Sequence, residues 1–417
     1  MIHLLSTPAG AAALAMLLVP TWALGDDQDA LMLERAPAPA TETGDRPMRL
    51  YLETSIGRVK QRYGLPTLTA SRLSMDFNYN QKLGGGWQFA LSDRLDYVDP
   101  PAVTGQWTTN SLREAYASWQ DEGGSRSADF GRVNLRNGSA YGYNPTDYFR
   151  ETALRTITTT DPLALRENRL GTVMLRYQQL WTGGAMSIAL APKLADAPST
   201  ESFSPDLGAT NRQNRALVSW SAQASDRFSG QVLAYYDADA GSQLGLNFTA
   251  LLTDSVVGHF EWSRGKDQVA LSGDSATFEI RNRLSAGATY TTPTKLALTA
   301  EYEYNGFAPN SAVWNAAGVD ALRAYLVRSL TSQEIVSRKA WTFYAVQKNA
   351  FWTGLDVSAL LRLNADDDSR LGWVEFRYHW PRFDAALQWQ STHGAPITEY
   401  GLPPAERSIK LLGAWYF

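Results

Sequence analysis

The last nine residues of the chain alternate between large apolar side chains and smaller or polar ones, and this alternation strongly constrains the fold. The positions on one side of the alternation are Ile409, Leu411, Gly413, Trp415 and Phe417. Successive side chains of a β-strand point to opposite faces, so the segment predicts a strand with one apolar face that ends on an aromatic ring. A strand in a bilayer needs such a face. We therefore take Leu411, Gly413, Trp415 and Phe417 as a candidate membrane-insertion signal.

The same two-residue period recurs from Met48 onward. Eighteen candidate strands are centred near residues 52, 75, 91, 115, 131, 175, 188, 218, 233, 248, 260, 284, 300, 344, 359, 375, 387 and 412. Each has about the 9 to 11 residues that a tilted strand needs to cross a bilayer. Short connections, such as TGG at 182–184, alternate with long ones, such as Asn137–Leu170. This pattern predicts an all-β transmembrane antiparallel up-and-down β-barrel of about 18 strands, with short periplasmic turns and long extracellular loops.

Composition is compatible with that class. Hydrophobic residues make up 44% of the chain, charged residues 19%, and mean hydropathy is -0.29. Only every second strand residue of a barrel meets lipid, so the average stays polar. The net charge of -4 is too small to indicate a nucleic-acid partner.

An apolar run at residues 9–19, AGAAALAMLLV, predicts a targeting signal at the start of the chain. The run is shorter than a spanning helix, and Pro8 and Pro20 bracket it. Ala23 and Gly25 offer small residues for cleavage, although no Lys or Arg precedes the run. We predict a signal peptide at 1–25, a disordered periplasmic tail at 26–46 and the barrel at 47–417, in the cell outer membrane of a Gram-negative bacterium after cleavage.

The signal peptide, the repeated strands and the terminal Trp-Tyr-Phe resemble those of Gram-negative outer-membrane porin-like β-barrels. The strand count is nearest to the eighteen-stranded group that includes substrate-specific porins and the alginate exporter. The resemblance implies passive passage of small hydrophilic solutes through a pore lined by side chains. It also implies outer-membrane lipid, lipopolysaccharide and the barrel-assembly machinery as partners. No motif selects a subfamily.

Alternate strand residues face the interior, so pore-lining candidates follow from the register. The candidates are Arg132, Asn134, Arg136, Arg176, Glu261, Glu279, Arg281, Arg283, Glu301, Glu303, Asp356, Arg362, Glu375, Arg377 and Asp384. Charges of both signs segregated on the wall would create a field that orients dipolar solutes. The alternative is that these charges pair with one another and hydrate the wall.

The long segment Asn137–Leu170 is a candidate constriction. Within it, Asn144-Pro145-Thr146-Asp147 predicts a turn, and Asp147 could also cap a short helix. The candidate constriction residues are Tyr141, Tyr143, Asp147, Tyr148, Arg150 and Arg155. The aromatic rings could stack on a sugar or an aromatic solute, and the arginines could bind an acidic one. A loop inside the barrel and a lid over its mouth are both compatible with the sequence.

A second long segment, Gly306–Lys339, contains apolar residues at helical spacing. They are Val319, Leu322, Leu326 and Leu330. This spacing predicts a short amphipathic helix whose apolar face packs on the barrel rim.

Competing functions follow from the same architecture. An exopolysaccharide export channel and a barrel with an adhesin or structural role remain alternatives. An outer-membrane hydrolase is the least favoured, because a serine nucleophile usually needs a histidine base. His259 and His379 fall on interior strand positions, and His393, in an outer loop, has no distinctive Asp or Ser spacing. We therefore predict no enzyme, no cofactor and no metal site.

Overall fold

The computed structural model describes residues 34–35, 47–101, 105–272 and 277–417. The predicted signal peptide and most of the predicted tail lie outside these residues. Within the tail, Glu34–Arg35 pairs antiparallel with Arg136–Asn137 over two residues. The barrel begins at Met48.

Eighteen antiparallel strands form one closed barrel. They are β1 (Met48–Gln61), β2 (Leu68–Gly84), β3 (Trp87–Asp99), β4 (Thr108–Gln120), β5 (Arg126–Val133), β6 (Thr172–Trp181), β7 (Gly184–Ala191), β8 (Arg215–Ser225), β9 (Phe228–Asp237), β10 (Gly241–Thr253), β11 (Val256–Gln268), β12 (Phe278–Thr291), β13 (Leu296–Asn305), β14 (Lys339–Gln347), β15 (Leu355–Asn364), β16 (Arg370–Trp380), β17 (Phe383–His393) and β18 (Ala405–Tyr416). Each strand pairs with the next, and β18 pairs with β1. The eighteen-stranded barrel prediction is confirmed, and each predicted centre lies in a strand.

The two ends of the barrel differ in the length of their connections. One end, the short-turn end, carries turns such as 182–183, 254–255 and 381–382, and β1 begins and β18 ends there. The other end, the long-loop end, carries the connections 134–171, 192–214 and 306–338. Two connections at the long-loop end, 238–240 and 365–369, are short as well.

The outer wall is apolar because the strand period of two separates it from a polar inner wall. On β2, Leu73 and Met75 are exposed on the outer face, whereas Ser74 and Asp76 between and beside them are buried inside. The same arrangement holds on β18, where Leu411 and Trp415 are exposed outward. These outer positions match the stripe that a membrane-spanning strand requires.

The C-terminal residue Phe417 is hydrogen-bonded to the neighbouring strand of the barrel wall. The backbone N–H of Phe417 donates to the Leu50 carbonyl oxygen at 3.0 Å. The rings of Phe383 and Trp415 lie 3.2 Å from the position that a Cβ on Gly413 would occupy, so they cover the glycine from outside.

Within the described residues, four short helices lie in the connections at the long-loop end. They are α1 (Pro162–Glu167), α2 (Leu207–Thr210), α3 (Ser311–Ala316) and α4 (Val319–Thr331). The predicted cap is wrong: Asp161, not Asp147, caps α1, since its carboxylate accepts from the Leu163 N–H at 3.1 Å. Across the described ranges, no helix is long and apolar enough to span a membrane.

The predicted amphipathic helix is α4, but its buried stripe is narrower than the spacing indicated. Leu322 and Leu326 are buried against Trp314 and Leu402, which belong to α3 and to the connection 394–404. Val319 and Leu330 are exposed. The helix packs through the two residues that face other loops, so its outer residues remain in contact with solvent.

Candidate functional site

The connection 134–171, called the inner loop from here on, crosses the barrel to the opposite wall. The Ala140 N–H donates to Glu261 at 2.7 Å, and the Gly142 N–H donates to Glu301 at 2.6 Å. The Tyr141 N–H donates to the other oxygen of Glu301. Glu261 and Glu301 lie midway along β11 and β13. The inner loop therefore lies at mid-height inside the barrel.

Two glycines permit this close approach. A Cβ on Gly138 would overlap the Glu261 carboxylate, and a Cβ on Gly142 would overlap Glu303 Oε1. Gly138 also has a positive φ of 88°, which residues with a side chain rarely adopt. The backbone of the inner loop can reach the carboxylates only because no side chain intervenes at these positions.

The predicted turn at residues 144–147 is present and faces β10 and β11. The Asp147 N–H donates to the Asn144 carbonyl at 3.2 Å. The Thr146 hydroxyl donates to Asn247 at 2.8 Å, and the Asn144 amide donates to Glu261 at 3.0 Å. Side chains and backbone of the inner loop thus satisfy the same glutamate.

Asp147 forms a buried ion pair within the inner loop. Arg169 donates to both of its carboxylate oxygens at 2.9 Å, and Arg166 lies 3.3 Å away. Burial alone would raise the pKa of the Asp147 carboxyl, but Arg169 and Arg166 hold that pKa below its ordinary value. Arg169 also donates to the Leu135 carbonyl at 2.7 Å, so the pair fixes both ends of the inner loop to each other.

The tyrosines of the inner loop pack on the barrel wall. Tyr141 stacks on Tyr344 with ring centroids 4.0 Å apart, and Tyr148 stacks on Tyr235 at 4.5 Å. Tyr143 is buried, and its hydroxyl donates to Glu334 at 2.8 Å. These ring faces are occupied by protein in this arrangement.

The two constriction-loop arginines have protein partners. The Arg150 guanidinium pairs with Glu334 and lies over the Tyr143 ring. The Arg155 guanidinium donates to the carbonyl oxygens of Asn110 at 2.6 Å and Ser204 at 3.0 Å. Arg155 therefore links the inner loop to β4 and to the connection 192–214.

The pore-lining candidates on the strands beside the inner loop face inward and are covered by it. Glu261, Glu301 and Glu303 are fully buried. Arg362 donates to Glu303 at 3.1 Å. Asn134 and Arg136 were expected on a strand but lie in the inner loop itself, because β5 ends at Val133. Asn134 donates to the Arg166 carbonyl at 3.0 Å, and Arg136 lies 3.7 Å from Glu167.

Other candidates also face inward and pair on the wall. The ion pairs are Arg176–Asp129 at 3.1 Å, Arg283–Asp267 at 2.5 Å, Arg281–Glu279 at 2.8 Å and Arg377–Glu375 at 2.8 Å. His379 joins the remaining two, at 2.9 Å from Asp384 and 3.3 Å from Asp356. Charge pairing on the wall, the simpler of the two expectations, accounts for these contacts.

Arg132 does not face the interior. It shares the outer face of β5 with Phe130, while Val133 packs in an apolar cluster inside the barrel. The Arg132 guanidinium donates to the carbonyls of Leu112 at 2.9 Å and Pro205 at 2.5 Å. Strand β5 ends at Val133, so the alternation that connects Arg132 to later inward residues stops there.

Comparison with solved structures identifies the architecture. The chain is similar to Acinetobacter baumannii OccAB1, with a TM-score of 0.58, 10% sequence identity and coverage of 89% of this chain and 96% of that one. Pseudomonas aeruginosa OccK8 (OprE) gives a TM-score of 0.54 at 11% identity, covering 89% and 97%. Pseudomonas aeruginosa OccK5 (OpdH) also gives 0.54, at 9% identity, covering 89% and 98%. The fold is that of a porin-like β-barrel.

No family model matches the chain, and the search of curated proteins found no sequence match. The evidence for a porin fold is therefore the course of the backbone and the pattern of strands, not sequence similarity. At about a tenth of residues identical, the likeness of this porin-like barrel to its neighbours establishes architecture and leaves the solute to be argued from its own residues.

The interior of the porin-like barrel also holds a charge network that the sequence reasoning missed. On β1 to β4, Arg94 lies 3.0 Å from Glu53 and 3.1 Å from Asp96, and Arg113 lies 2.6 Å from Asp76. Arg72 pairs with Glu53 as well. The sequence contained a pattern that could have predicted this network, because charged residues alternate on β2 and β3 as they do on β11 to β13.

A cavity of about 780 Å³ opens between the inner loop, β9 to β12 and α4 of the porin-like barrel. Its wall carries Arg283, Arg328, Asp267 and Glu151, so both signs of charge face the space. A second cavity of about 70 Å³ lies between the inner loop and α4, beside Arg362. The larger space has the volume of a small-molecule site.

Proposed function

We propose that this protein is an outer-membrane channel for passive passage of small hydrophilic solutes, and that the inner loop forms its constriction. The observation that carries the proposal is the seating of the inner loop on Glu261 and Glu301 at mid-height in the barrel. Barrels of 16 to 18 strands leave an aqueous channel unless loops fill it. A loop held at this level divides that channel and sets its width.

Small solutes fit this arrangement better than a polymer. The cavity of about 780 Å³ lies on the long-loop side of the inner loop and carries charged groups of both signs. A space of this size suits one small polar molecule. An exopolysaccharide exporter needs a continuous wide lumen, and the inner loop opposes that. Export therefore stays the second candidate for transport.

The apolar outer wall supports placement in the outer membrane of a Gram-negative cell, as do the Occ porin neighbours. We assign the long-loop end to the cell exterior and the short-turn end to the periplasm, which is the usual arrangement in such barrels. The neighbours are channels rather than enzymes, and His259 and His379 each lie within 3 Å of a carboxylate on the inner wall, at 2.7 Å from Glu301 and 2.9 Å from Asp384. These observations favour a channel over a hydrolase.

The first test is single-channel conductance of the refolded protein in a planar bilayer, with sugars and organic acids as blockers. Glu301→Gln removes the charge that accepts two backbone N–H groups. Hydrogen bonds to charged groups contribute about 1.5–3 kcal/mol each, so the population of displaced loop should rise at least about tenfold. We expect larger and noisier open-channel currents.

Glu279→Gln is the matched control, because it removes the same charge from the same inner wall at a half-exposed site. Its currents should resemble those of the unmodified protein apart from a change in ion selectivity. Equal behaviour of the two variants would remove the constriction role from the inner loop. Absence of conductance from a β-rich, heat-modifiable protein would overturn the channel and favour an adhesin or structural barrel.

A further inference from the structure

The outer face of the barrel carries a cluster of basic side chains at the long-loop end of four consecutive strands. On β16, β17, β18 and β1, this basic strip consists of Arg370, His393, Arg407, Arg58 and Lys60. All five side chains are exposed. They lie on the surface that contacts lipid, not in the lumen.

The register places basic side chains next to each other, and one of these pairs, Lys60 with Arg407, consists of two like charges. Arg370 is directly opposite His393, and Lys60 is directly opposite Arg407. Like charges in directly opposed positions destabilise a sheet. Glu406 lies 3.0 Å from Lys60, but among the described residues no carboxylate is within ion-pair distance of Arg58, Arg370 or Arg407. The strip thus has an excess of positive charge that the described part of the chain does not neutralise.

Directly below the strip, toward the short-turn end, the outer face becomes apolar. The exposed side chains there include Ile56, Ile409, Leu411 and Trp389. Ile409 is directly opposite Arg58, so the change from charge to hydrocarbon occurs within one residue pair. A ligand that fits this surface has an anionic head above acyl chains.

At the other end of the same four strands, the described outward strand positions carry no cation; Arg49 is at an inward position of β1, and Arg382 lies in the turn 381–382. The outward residues at that end are aromatic or aliphatic and include Trp380, Phe383, Trp415 and Met48. The outer surface is therefore asymmetric, with cations at one membrane interface and aromatic rings at the other. Such an asymmetric surface matches a bilayer whose two leaflets have different headgroups.

We propose that the basic strip binds the phosphate groups of lipid A, the membrane anchor of lipopolysaccharide, with the acyl chains lying on the apolar surface below. The inference rests on the proposed placement in the outer membrane with the long-loop end outward, because lipopolysaccharide occupies the outer leaflet. Arginine binds phosphate with two parallel hydrogen bonds, and Arg58, Arg370 and Arg407 have their guanidinium groups available for it.

The site also crosses the closure of the barrel. Arg407 lies on β18 and Lys60 on β1, the pair that joins the last strand to the first. A phosphate between them relieves their repulsion and connects the two strands. Because a ligand that binds only the folded state raises its stability, lipid A should raise the temperature at which the barrel unfolds.

The test uses the refolded full-length protein in detergent micelles, titrated with bisphosphorylated lipid A and followed by native mass spectrometry and by the unfolding temperature. The double variant Arg58→Gln/Arg407→Gln should bind lipid A at least about tenfold more weakly and lose the rise in unfolding temperature. The control Arg264→Gln/Lys266→Gln removes two exposed outward cations from β11, away from the strip, and should bind as the unmodified protein does.

Separate titrations identify the ligand. Dephosphorylated lipid A, phosphatidylglycerol and inorganic phosphate should each bind at least about tenfold more weakly than lipid A. Equal binding of dephosphorylated lipid A would show a purely apolar contact, equal binding of phosphatidylglycerol an unselective lipid site, and equal binding of inorganic phosphate a free-anion site. Each result overturns the proposal, as does equal loss in the β11 control.

Two further measurements keep the outcomes distinct. If the double variant does not refold, Arg370→Gln alone should weaken lipid A binding, and unchanged binding then overturns the proposal. Conductance is recorded on the same samples. Conductance that persists while lipid A binding is lost supports the lipid site, whereas lost conductance with intact lipid A binding counts against the channel and not against this site.

Discussion

Asp147 and Arg169 form an ion pair that water hardly reaches, inside a loop that would otherwise be free to move. Each side chain is about 1% exposed. Removal of one partner from a buried pair costs about 3–5 kcal/mol, because the other charge stays buried and unpaired. We expect Asp147→Asn to release the inner loop from its seat and to lower the unfolding temperature. Limited proteolysis should then cut between residues 134 and 171.

Asp320→Asn provides the comparison for that variant. Asp320 pairs with Arg323 at 3.5 Å on the exposed face of α4, and exposed pairs contribute little. The variant should keep the unfolding temperature and protease resistance of the unmodified protein. If Asp147→Asn behaves in the same way, the buried pair is not what holds the inner loop in place.

Glu399, in the connection 394–404, makes the stability of the barrel mouth depend on pH. Burial raises the pKa of Glu399 from 4.5 to about 7, and Arg362 offsets only part of that effect. The folded protein therefore binds this proton more tightly than the unfolded chain. The associated stability is complete below pH 4.5 and is lost as pH rises through about 7.

Glu399→Gln mimics the protonated form and should remove this pH dependence. The unfolding temperature, measured from pH 4.5 to 8, should fall less steeply with pH in the variant and should be higher than that of the unmodified protein above pH 7. Glu122→Gln, in the exposed turn 121–125, is the control and should leave the slope unchanged. An unchanged slope in Glu399→Gln would mean that other groups carry the titration.

At the scale of elements, backbone amides of the inner loop bind carboxylates of the opposite barrel wall, and no local sequence motif marks these contacts. The carboxylates lie more than a hundred residues away in the chain. We expect replacement of residues 139–160 by a Gly-Ser segment of equal length to leave the barrel folded and to raise single-channel conductance several-fold, since an eighteen-stranded barrel without a filling loop is an open channel.

Circular dichroism and heat-modifiable migration should confirm that this variant retains its strands. The control is a Gly-Ser replacement of residues 194–204, which belong to the Ser- and Pro-rich connection 192–214. That control should leave conductance close to its original value. A similar rise in both variants would indicate that loop composition, and not the seating of the inner loop, sets the current.

The strands were predictable because each repeats a local period of two over many residues, from Leu73 on β2 to Trp415 on β18. The segment of the inner loop was predicted as a candidate constriction, but its position inside the barrel could not be predicted. The contact of Ala140 with Glu261 joins a backbone amide to a distant side chain, and such a contact leaves no pattern in the sequence. Arg132 was misplaced for a local reason: the strand ends one residue later, and the alternation could not be continued past that end.

At the scale of the whole molecule, the charges of the barrel strands lie on two surfaces, the inner wall, part of which lines the cavity, and the outer wall. The inner wall carries paired charges such as Arg94 with Asp96, the cavity carries both signs, and the outer wall carries the basic strip at one end only. Net charge of the chain, -4, hides this division. The two-residue period of the sequence predicts which side chains face the inner wall and which face the outer wall. The height of each charge along a wall follows only from the register of the paired strands.

The pairing of β18 with β1 has a kinetic consequence. Strands that are neighbours in sequence can pair as soon as both have been synthesised. The second partner of β1 is β18, the last strand of the barrel, so this pair can form only when nearly the entire chain has been synthesised. Until then the sheet has two open edges, and open edges invite pairing with other chains. Pairing of β18 with β1 removes both edges at once, so the closed barrel offers no unpaired strand edge to another chain.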